Sequence, residues 1–176
     1  MRPRSLINSS ISYYLSYLYA RLQYRERRIH EQQDAMLRSL IHKAKRTEIG
    51  REFGYHTIRN YKDYARQVPV RNYDAIRDHI QRMMQGETNV LWPGLVTWFA
   101  KSSGTTADKS KFIPVTTEHL NHTHTRSGWY TLALLYHRNP EVRVFADKNL
   151  VMTGSITRTP HPDIRYGDVS AIMLHH

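Results

Sequence analysis

Apolar residues recur at helical spacing over the first part of the chain. Between residues 7 and 46 they lie mostly three or four positions apart, which predicts two amphipathic helices that meet near Arg25. The apolar positions are Ile7, Ile11, Tyr14, Leu15, Leu18 and Leu22 in the first helix and Ile29, Met36, Leu37, Leu40, Ile41 and Ala44 in the second. We expect these two helices to form an antiparallel pair.

A further helix is predicted after Asn72, whose side chain is of a type that caps helix N-termini. Its apolar stripe consists of Tyr73, Ile76, Ile80 and Met83 or Met84, and Gly86 ends it. Residues 1–90 therefore form a helical region in this interpretation.

Two short β-prone runs follow, and they flank a polar segment. Val96 to Ala100 and Phe112 to Val115 fit strands, whereas the residues between them fit a loop. The pattern predicts a strand-loop-strand unit.

The remainder of the chain begins with a long helix. Thr117 is expected to cap this helix and Asn139-Pro140 to end it. Its inner side is predicted to carry Leu120, Ser127, Thr131, Leu134 and Leu135. Val142 to Phe145 and Leu150 to Thr153 are strand candidates, and the proline-containing segment from Gly154 to Tyr166 is interpreted as a loop. The fold class is α/β, or α+β over the residues present.

The loop between the first two strands carries hydroxyls and one glycine. Its residues are Ser102, Ser103, Gly104, Thr105 and Thr106, and Lys101, Lys109 and Lys111 add positive charge beside them. Successive backbone N–H groups in a glycine-containing turn can form an anion-binding concavity, and the simplest ligand for this set is a polyphosphate. A solvated hairpin with surface lysines is the alternative that the residues leave open. The loop is not a Walker motif, because Leu95 and Ala100 stand where that motif requires glycine.

This segment resembles a known motif. SSGTT, followed by Lys111 and by Pro114 at the end of KSKFIP, is similar to the first ATP-binding motif of the Gretchen Hagen auxin-responsive family of acyl-acid amido synthetases. That family belongs to the adenylate-forming superfamily. The upstream runs AKRTEIGREFGY and YKDYARQVPVRNYDAIRDHIQRMMQGETNVLWPG are also similar to the family, so the resemblance extends from about Leu37 to Gly167.

The resemblance implies ATP-dependent activation of a carboxylic acid, followed by transfer of the acyl group to an amine such as an amino acid. It implies that Ser102, Ser103, Gly104, Thr105 and Thr106 hold the ATP phosphates and that Lys111 lies near the pyrophosphate. ATP and Mg²⁺ are the expected cofactors, while no residue is assigned as catalytic or as a metal ligand. Residues 91–176 would then begin the nucleotide-binding α/β domain, as the second part of one incomplete large domain.

Two features qualify this expectation. Ala107 and Asp108 stand where many family members carry glycines, which stiffens the loop and brings a carboxylate close to it. The resemblance also implies a considerably longer protein. We therefore expect the chain to be an N-terminal fragment with little or no synthetase activity of its own.

The charge of the chain suggests anionic partners. The formal net charge is +11 and the pI is near 10.0, with basic residues concentrated between Arg25 and Arg46. Such a surface is typical of proteins that bind nucleotides, nucleic acid or acidic membranes. An alternative function is therefore a non-catalytic module that binds RNA or an anionic membrane, although the chain lacks the motifs typical of nucleic-acid-binding domains, and we expect no nucleic-acid partner.

Other features narrow the range of functions. The chain has no cysteine, which excludes disulfides and a cysteine nucleophile, and no apolar run is long enough to span a membrane. We expect a cytoplasmic protein. His119, His122 and His124 are close in sequence, but residues five apart do not share the face of a regular α-helix, so they are not expected to converge on a metal.

Overall fold

The protein folds into helices and one small sheet, which confirms the predicted α+β class. The computed structural model describes residues 3–102, 110–142, 144–145 and 150–176. Contacts divide the chain into a first unit, residues 1–29 and 117–152, and a second unit, residues 30–116 and 153–176. These units are defined by contacts rather than by chain order, and the predicted division at residue 90 stays a prediction.

The helices occupy most of the described chain. They are α1 (Pro3–Glu26), α2 (Ile29–Ala44), α3 (Glu48–Glu52), α4 (Tyr61–Gln67), α5 (Arg77–Met84), α6 (Thr117–His119), α7 (Thr125–Arg138) and α8 (Val169–His175). Short 3₁₀ turns lie at Tyr55–Thr57 and Asp74–Ile76, and a π-helix lies at Leu120–His124. Among the described residues, none of the helices is both long and apolar enough to cross a membrane.

In the first unit, α1 packs against α7. Leu15 and Leu18 are buried with Ala133 and Tyr136 in one apolar cluster. The prediction that the first two helices form an antiparallel pair is therefore wrong, because the partner of α1 is α7. Helical spacing identifies which face of α1 is apolar, but it carries no information on which distant helix covers that face.

The long helix predicted from Thr117 runs to Arg138, but one π-helical segment interrupts it. A π turn contains one more residue than an α turn, so it rotates the following helix about its axis. The buried side consequently includes Ala133 and Tyr136, whereas the predicted Leu134 and Leu135 are 41% and 42% exposed. The predicted inner side is correct at Leu120, the first residue of the π-helix, and wrong after that segment.

The second unit contains a four-stranded sheet in the order β2-β1-β4-β3. The strands are β1 (Trp98–Lys101), β2 (Phe112–Val115), β3 (Ile156–Arg158) and β4 (Arg165–Gly167). β1 is antiparallel to β2 and parallel to β4, while β3 and β4 are antiparallel. The core below the sheet comprises Ile80, Met83, Val90, Val96, Phe99 and Ile164.

The strand prediction is right for the first pair and wrong for the second. β2 has the predicted bounds, and β1 lies slightly later than predicted. At the second predicted pair, the described residues of 142–145 and residues 150–153 are not in strands, and Leu150 is 93% exposed. β3 and all of β4 except Gly167 instead lie within the segment interpreted as a loop. Strands are possible there because Pro160 and Pro162 occupy the turn between the strands rather than the strands themselves.

A charged cluster connects α3 to α5 in the second unit. The Arg82 guanidinium donates hydrogen bonds to Glu48, at 2.5 and 3.0 Å, and to Glu87, at 2.7 Å from Nε. The hydrogen bond from Arg82 holds the pKa of each carboxyl below its usual range. Glu48 follows Thr47, which is fully buried and accepts a hydrogen bond from the Gly50 N–H as the N-cap of α3.

Candidate phosphate-binding site

Ser102 and Lys111 lie at the two ends of the predicted phosphate loop, directly after β1 and directly before β2. The Ser102 N–H donates to the Lys111 carbonyl at 2.9 Å, and the Lys111 N–H donates to Ser102 Oγ at 3.3 Å. The antiparallel register, with Lys101 opposite Phe112, continues directly into this pair. The other predicted loop residues, Ser103, Gly104, Thr105 and Thr106, lie outside the described residues.

A hydroxyl-rich cavity of about 320 Å³ lies at this end of the sheet. Its described walls are Lys101, Ser102, Ser110, Ser155, Thr157, Tyr166, Gly167 and Asp168. Five of these side chains carry a hydroxyl group, which both donates and accepts hydrogen bonds. The cavity therefore offers hydroxyl groups and one ammonium, a set that suits phosphate oxygens.

The structure assigns different surroundings to the two lysines at the ends of the hairpin. Lys101 lines the hydroxyl-rich cavity. The Lys111 ammonium instead lies over the ring of Tyr73, with Nζ 5.8 Å from the ring centroid. Lys111, the lysine of the family motif, thus lies over an aromatic ring. Lys101, on the other strand of the hairpin, lines the cavity.

One carboxylate contributes to the wall of the cavity. Asp168 Oδ2 accepts a hydrogen bond from the Ser155 N–H at 3.2 Å, and the Asp168 N–H donates to the Ser155 carbonyl at 3.3 Å. This arrangement requires glycine at position 154, because a Cβ there would lie 1.8 Å from Asp168 Oδ2. The carboxylate is consequently fixed against the backbone at the beginning of β3.

A model of the GH3 family N-terminal domain matches residues 18–175. The chain belongs to the GH3 family. This is the Gretchen Hagen family that the motif and the upstream runs resemble, and the match confirms that resemblance over nearly the whole chain. Membership favours the synthetase hypothesis over the RNA-binding or membrane-binding module.

Curated GH3 relatives match shorter stretches. Indole-3-acetic acid-amido synthetase GH3.15 of Arabidopsis thaliana is 31% identical over 106 residues, which cover 60% of this chain and 18% of the relative. GH3.17 of the same plant, with the same enzyme name, is 38% identical over 63 residues, covering 35% of this chain and 10% of the relative. The matched stretches therefore span less than a fifth of these curated relatives.

A solved GH3 structure has the same fold. The structure of GH3.15 acyl acid amido synthetase superposes with a TM-score of 0.73 at 22% identity, covering 89% of this chain and 28% of that one. The structure of AtGH3.15 in complex with 2,4-DB gives a TM-score of 0.68 at 23% identity, covering 83% and 25%. The chain thus spans about a quarter of the length of the structures that it resembles.

Sequence reasoning missed six of the described cavity residues in this GH3 chain, Ser110 and Gly167 among them. Ser155, Thr157, Tyr166 and Asp168 come from the segment interpreted as a loop or from its border. One signal was available, because Ser155 and Thr157 are two residues apart, and such residues lie on the same face of a strand. The approach of β4 to β1, which brings Tyr166 beside Phe99, is a long-range pairing without a local signature.

Two of the three clustered histidines lie closer together than the spacing of a regular α-helix predicts. His119 and His124 are five residues apart, yet their ring centroids are 5.9 Å apart. The π-helix is the reason, because its wider turn brings residues i and i+5 onto one side. Within the described part of the chain, no group of three His, Asp or Glu side chains is placed to hold a metal ion.

Proposed function

We propose that this chain provides the phosphate-binding part of an ATP-dependent acyl-acid amido synthetase. The main support is the GH3 family match over residues 18–175, together with the hydroxyl-rich cavity at the end of β1 where the family motif begins. The relatives carry the name amido synthetase, and the proposal extends that class of reaction to this chain. A cytoplasmic location is part of the proposal.

The proposed reaction has two steps. A carboxylate oxygen of an organic acid attacks the α-phosphate of ATP, the bond to the β-phosphate breaks, and pyrophosphate leaves. The nitrogen of an amine such as an amino acid then attacks the activated carbonyl, AMP leaves, and the nitrogen loses a proton. The acid and the amine are proposed by class only: relatives are named for indole-3-acetic acid, and one structure contains 2,4-DB.

In this proposal the loop Ser102-Ser103-Gly104-Thr105-Thr106 holds the β- and γ-phosphates through its hydroxyls and through the N–H groups that follow Ser102, because the Ser102 N–H donates to the Lys111 carbonyl. Lys101 contributes positive charge from the cavity wall. Lys111 reaches the departing pyrophosphate by moving its flexible side chain away from Tyr73. Positioning and charge stabilisation of this kind are the main contributions of a protein to phosphoryl chemistry.

Mg²⁺, when bound with ATP, would neutralise phosphate charge. The donor set fits such an ion, because Mg²⁺ is usually held by one or two carboxylates together with phosphate oxygens and water. Asp168 is the one carboxylate among the described wall residues, and its Oδ2 is oriented by the Ser155 N–H. Asp168 is therefore the residue that would hold the ion.

Titration of the chain with a fluorescent ATP analogue, with and without Mg²⁺, tests the proposal. We expect saturable binding that pyrophosphate displaces and that a Thr105→Val, Lys111→Ala double variant weakens by about tenfold or more. Lys62→Ala is the matched control, because Lys62 is exposed on α4 and distant in sequence from the loop. Binding that is absent, or that the double variant leaves unchanged, would contradict the proposal.

A further inference from the structure

A second cavity, of about 430 Å³, lies within the second unit and is formed by helices and turns rather than by the sheet. One wall is the C-terminal part of α2 with the residue after it, and the other is the 3₁₀ turn at Tyr55–Thr57 with the two residues that follow it. The described walls of this basic cavity are Arg38, Ile41, His42, Lys45, Tyr55, His56, Ile58 and Arg59. Its volume falls within the range of roughly 300–1,000 Å³ that is usual for small-molecule sites.

Local hydrogen bonds fix the backbone of both walls. Gly54 has a φ of 58°, a left-handed conformation that glycine adopts at little cost, and it leads the chain into the 3₁₀ turn. Thr57 Oγ1 donates to the Gly54 carbonyl at 2.8 Å. On the opposite wall, Thr47 Oγ1 donates to the Ala44 carbonyl at 2.7 Å at the end of α2. A ligand would therefore meet a largely preformed cavity and lose little free energy to rearranging it.

The charges that line the basic cavity are all positive. Arg38, Lys45 and Arg59 are cations, and none of the described wall residues carries a carboxylate. Within the described part of the chain, none of these three forms an ion pair with a carboxylate. Glu52, the acidic residue nearest in sequence to the 3₁₀ turn, is itself paired with Arg71 at 2.6 Å. Like charges around one cavity repel each other, so an anion bound there would relieve that repulsion.

Neutral donors and apolar surface complete the walls. The Lys45 ammonium lies 3.5 Å from His42 Nδ1. Because an ammonium can only donate, Nδ1 is the acceptor and a neutral His42 carries its proton on Nε2. Burial raises the pKa of the Tyr55 hydroxyl, so this group keeps its proton and can donate. Ile41, Ile58 and the Tyr55 ring supply apolar surface for the organic part of a ligand.

We propose that the basic cavity binds a small organic phosphate monoester. Such an ester carries a charge of about −1.5 to −2 at neutral pH and three acceptor oxygens, which suits the three cations better than the single charge of a carboxylate or a sulfate ester. Guanidinium groups bind phosphate through pairs of parallel hydrogen bonds, and Arg38 and Arg59 belong to opposite walls. The organic part would lie against Ile41, Ile58 and Tyr55, a surface that inorganic phosphate would leave uncovered.

The basic cavity shares no described wall residue with the hydroxyl-rich cavity, and the proposal is tested without nucleotide. The probes are phenyl phosphate, phenyl sulfate, which has the same body with less charge, and inorganic phosphate, which lacks the body. Each is titrated into the chain while ¹H–¹⁵N chemical shifts are followed. We expect saturable shifts at residues 38–45 and 55–59 with phenyl phosphate, and binding of the other two probes that is weaker by about tenfold.

Variants then locate the charges that are responsible. Arg38→Gln and Arg59→Gln, one on each wall, should each weaken binding of phenyl phosphate by about tenfold. Arg138→Gln, which removes the same charge from an exposed position at the end of α7, should leave it unchanged. The Thr105→Val, Lys111→Ala double variant should also bind phenyl phosphate normally, which distinguishes this site from the candidate phosphate loop.

A lipid headgroup is a second source of the same phosphate monoester. Co-sedimentation with phosphatidylcholine vesicles that contain phosphatidic acid distinguishes the two sources, and we expect the wild type, Arg59→Gln and Arg138→Gln to sediment equally. Sedimentation that only Arg59→Gln loses would overturn the assignment to a soluble ester. Absence of saturable binding, equal affinity for the three probes, shifts confined to the surroundings of β1 and β2, or binding that survives Arg59→Gln would each overturn the proposal as a whole.

Discussion

The Tyr73 hydroxyl makes hydrogen bonds with both backbone groups of Phe112. It accepts from the Phe112 N–H at 2.9 Å and donates to the Phe112 carbonyl at 3.3 Å. Phe112 is the first residue of β2, directly after Lys111, so this side chain ties the segment before α5 to one end of the candidate phosphate loop. The same ring faces the Lys111 ammonium.

Tyr73→Phe should therefore reduce stability. The substitution leaves a partly buried N–H and carbonyl without their protein partner, which costs about 1–3 kcal/mol. Urea unfolding measures the loss. Tyr61→Phe is the control, because Tyr61 is 66% exposed, and it should change the unfolding free energy by less than about 0.5 kcal/mol. Equal effects of the two substitutions would contradict the role of Tyr73.

Replacement of two glycines by alanine should change the stability of the protein in opposite directions. A Cβ on Gly167 would lie 2.2 Å from the Ser155 carbonyl oxygen, so Gly167→Ala must push β3 and β4 apart and should cost about 1–3 kcal/mol. A Cβ on Gly128 would meet nothing within 4 Å, and Gly128 lies inside α7. Gly128→Ala should therefore stabilise the protein by about 1 kcal/mol. Thermal unfolding of both variants tests the pair, and destabilisation by Gly128→Ala would contradict the open surroundings of that position.

The Glu48–Arg82–Glu87 cluster predicts how stability depends on acid. Each carboxyl has a pKa below 4.5 in the folded protein, chiefly through its hydrogen bond with Arg82. As the pH falls, these carboxyls therefore bind protons in the unfolded chain before they do so in the folded protein. The stabilisation is present above about pH 4.5, and it is lost as the pH falls through the folded pKa values.

Arg82→Gln should make the loss of stability on acidification smaller. The measurement is the midpoint of thermal unfolding between about pH 3 and pH 7, compared with the wild type. Arg66→Gln serves as the control, because it removes only an exposed pair with Asp63 and should leave the pH profile largely unchanged. If Arg82→Gln followed the wild-type profile, the cluster would not be the source of the acid sensitivity.

Single substitutions distinguish the roles of the two lysines at the candidate site. Lys101→Ala removes the ammonium that lines the hydroxyl-rich cavity, and Lys111→Ala removes the one that lies over Tyr73. We expect each to weaken ATP binding by about tenfold, since both charges act on phosphate in the proposal. Fluorescence titration at two salt concentrations measures this. Normal affinity in Lys111→Ala would assign the role to Lys101 alone.

Local chemistry in the sequence predicted several elements correctly. Asn72 accepts a hydrogen bond from the Ala75 N–H at 3.1 Å, α5 ends shortly before Gly86, and α7 ends directly before Asn139. β2 also has its predicted bounds. In each case the decisive interaction lies within a few residues of the signal, so a short window of sequence contains the information. The SSGTT motif led to the right family for the same reason.

Long-range contacts decided the rest. The partner of α1 is a helix more than 90 residues later, and β4 joins β1 although paired residues such as Trp98 and Arg165 lie 67 positions apart. The π-helix at Leu120–His124 altered both the buried side of α7 and the spacing of His119 and His124, although no local residue predicts it. The sequence by itself thus determined where α5 and α7 end, the first two strands and the family. Only the tertiary structure brought Ser155, Thr157, Tyr166 and Asp168 to the end of β1, because strand pairing depends on the packing of the whole second unit rather than on neighbouring residues.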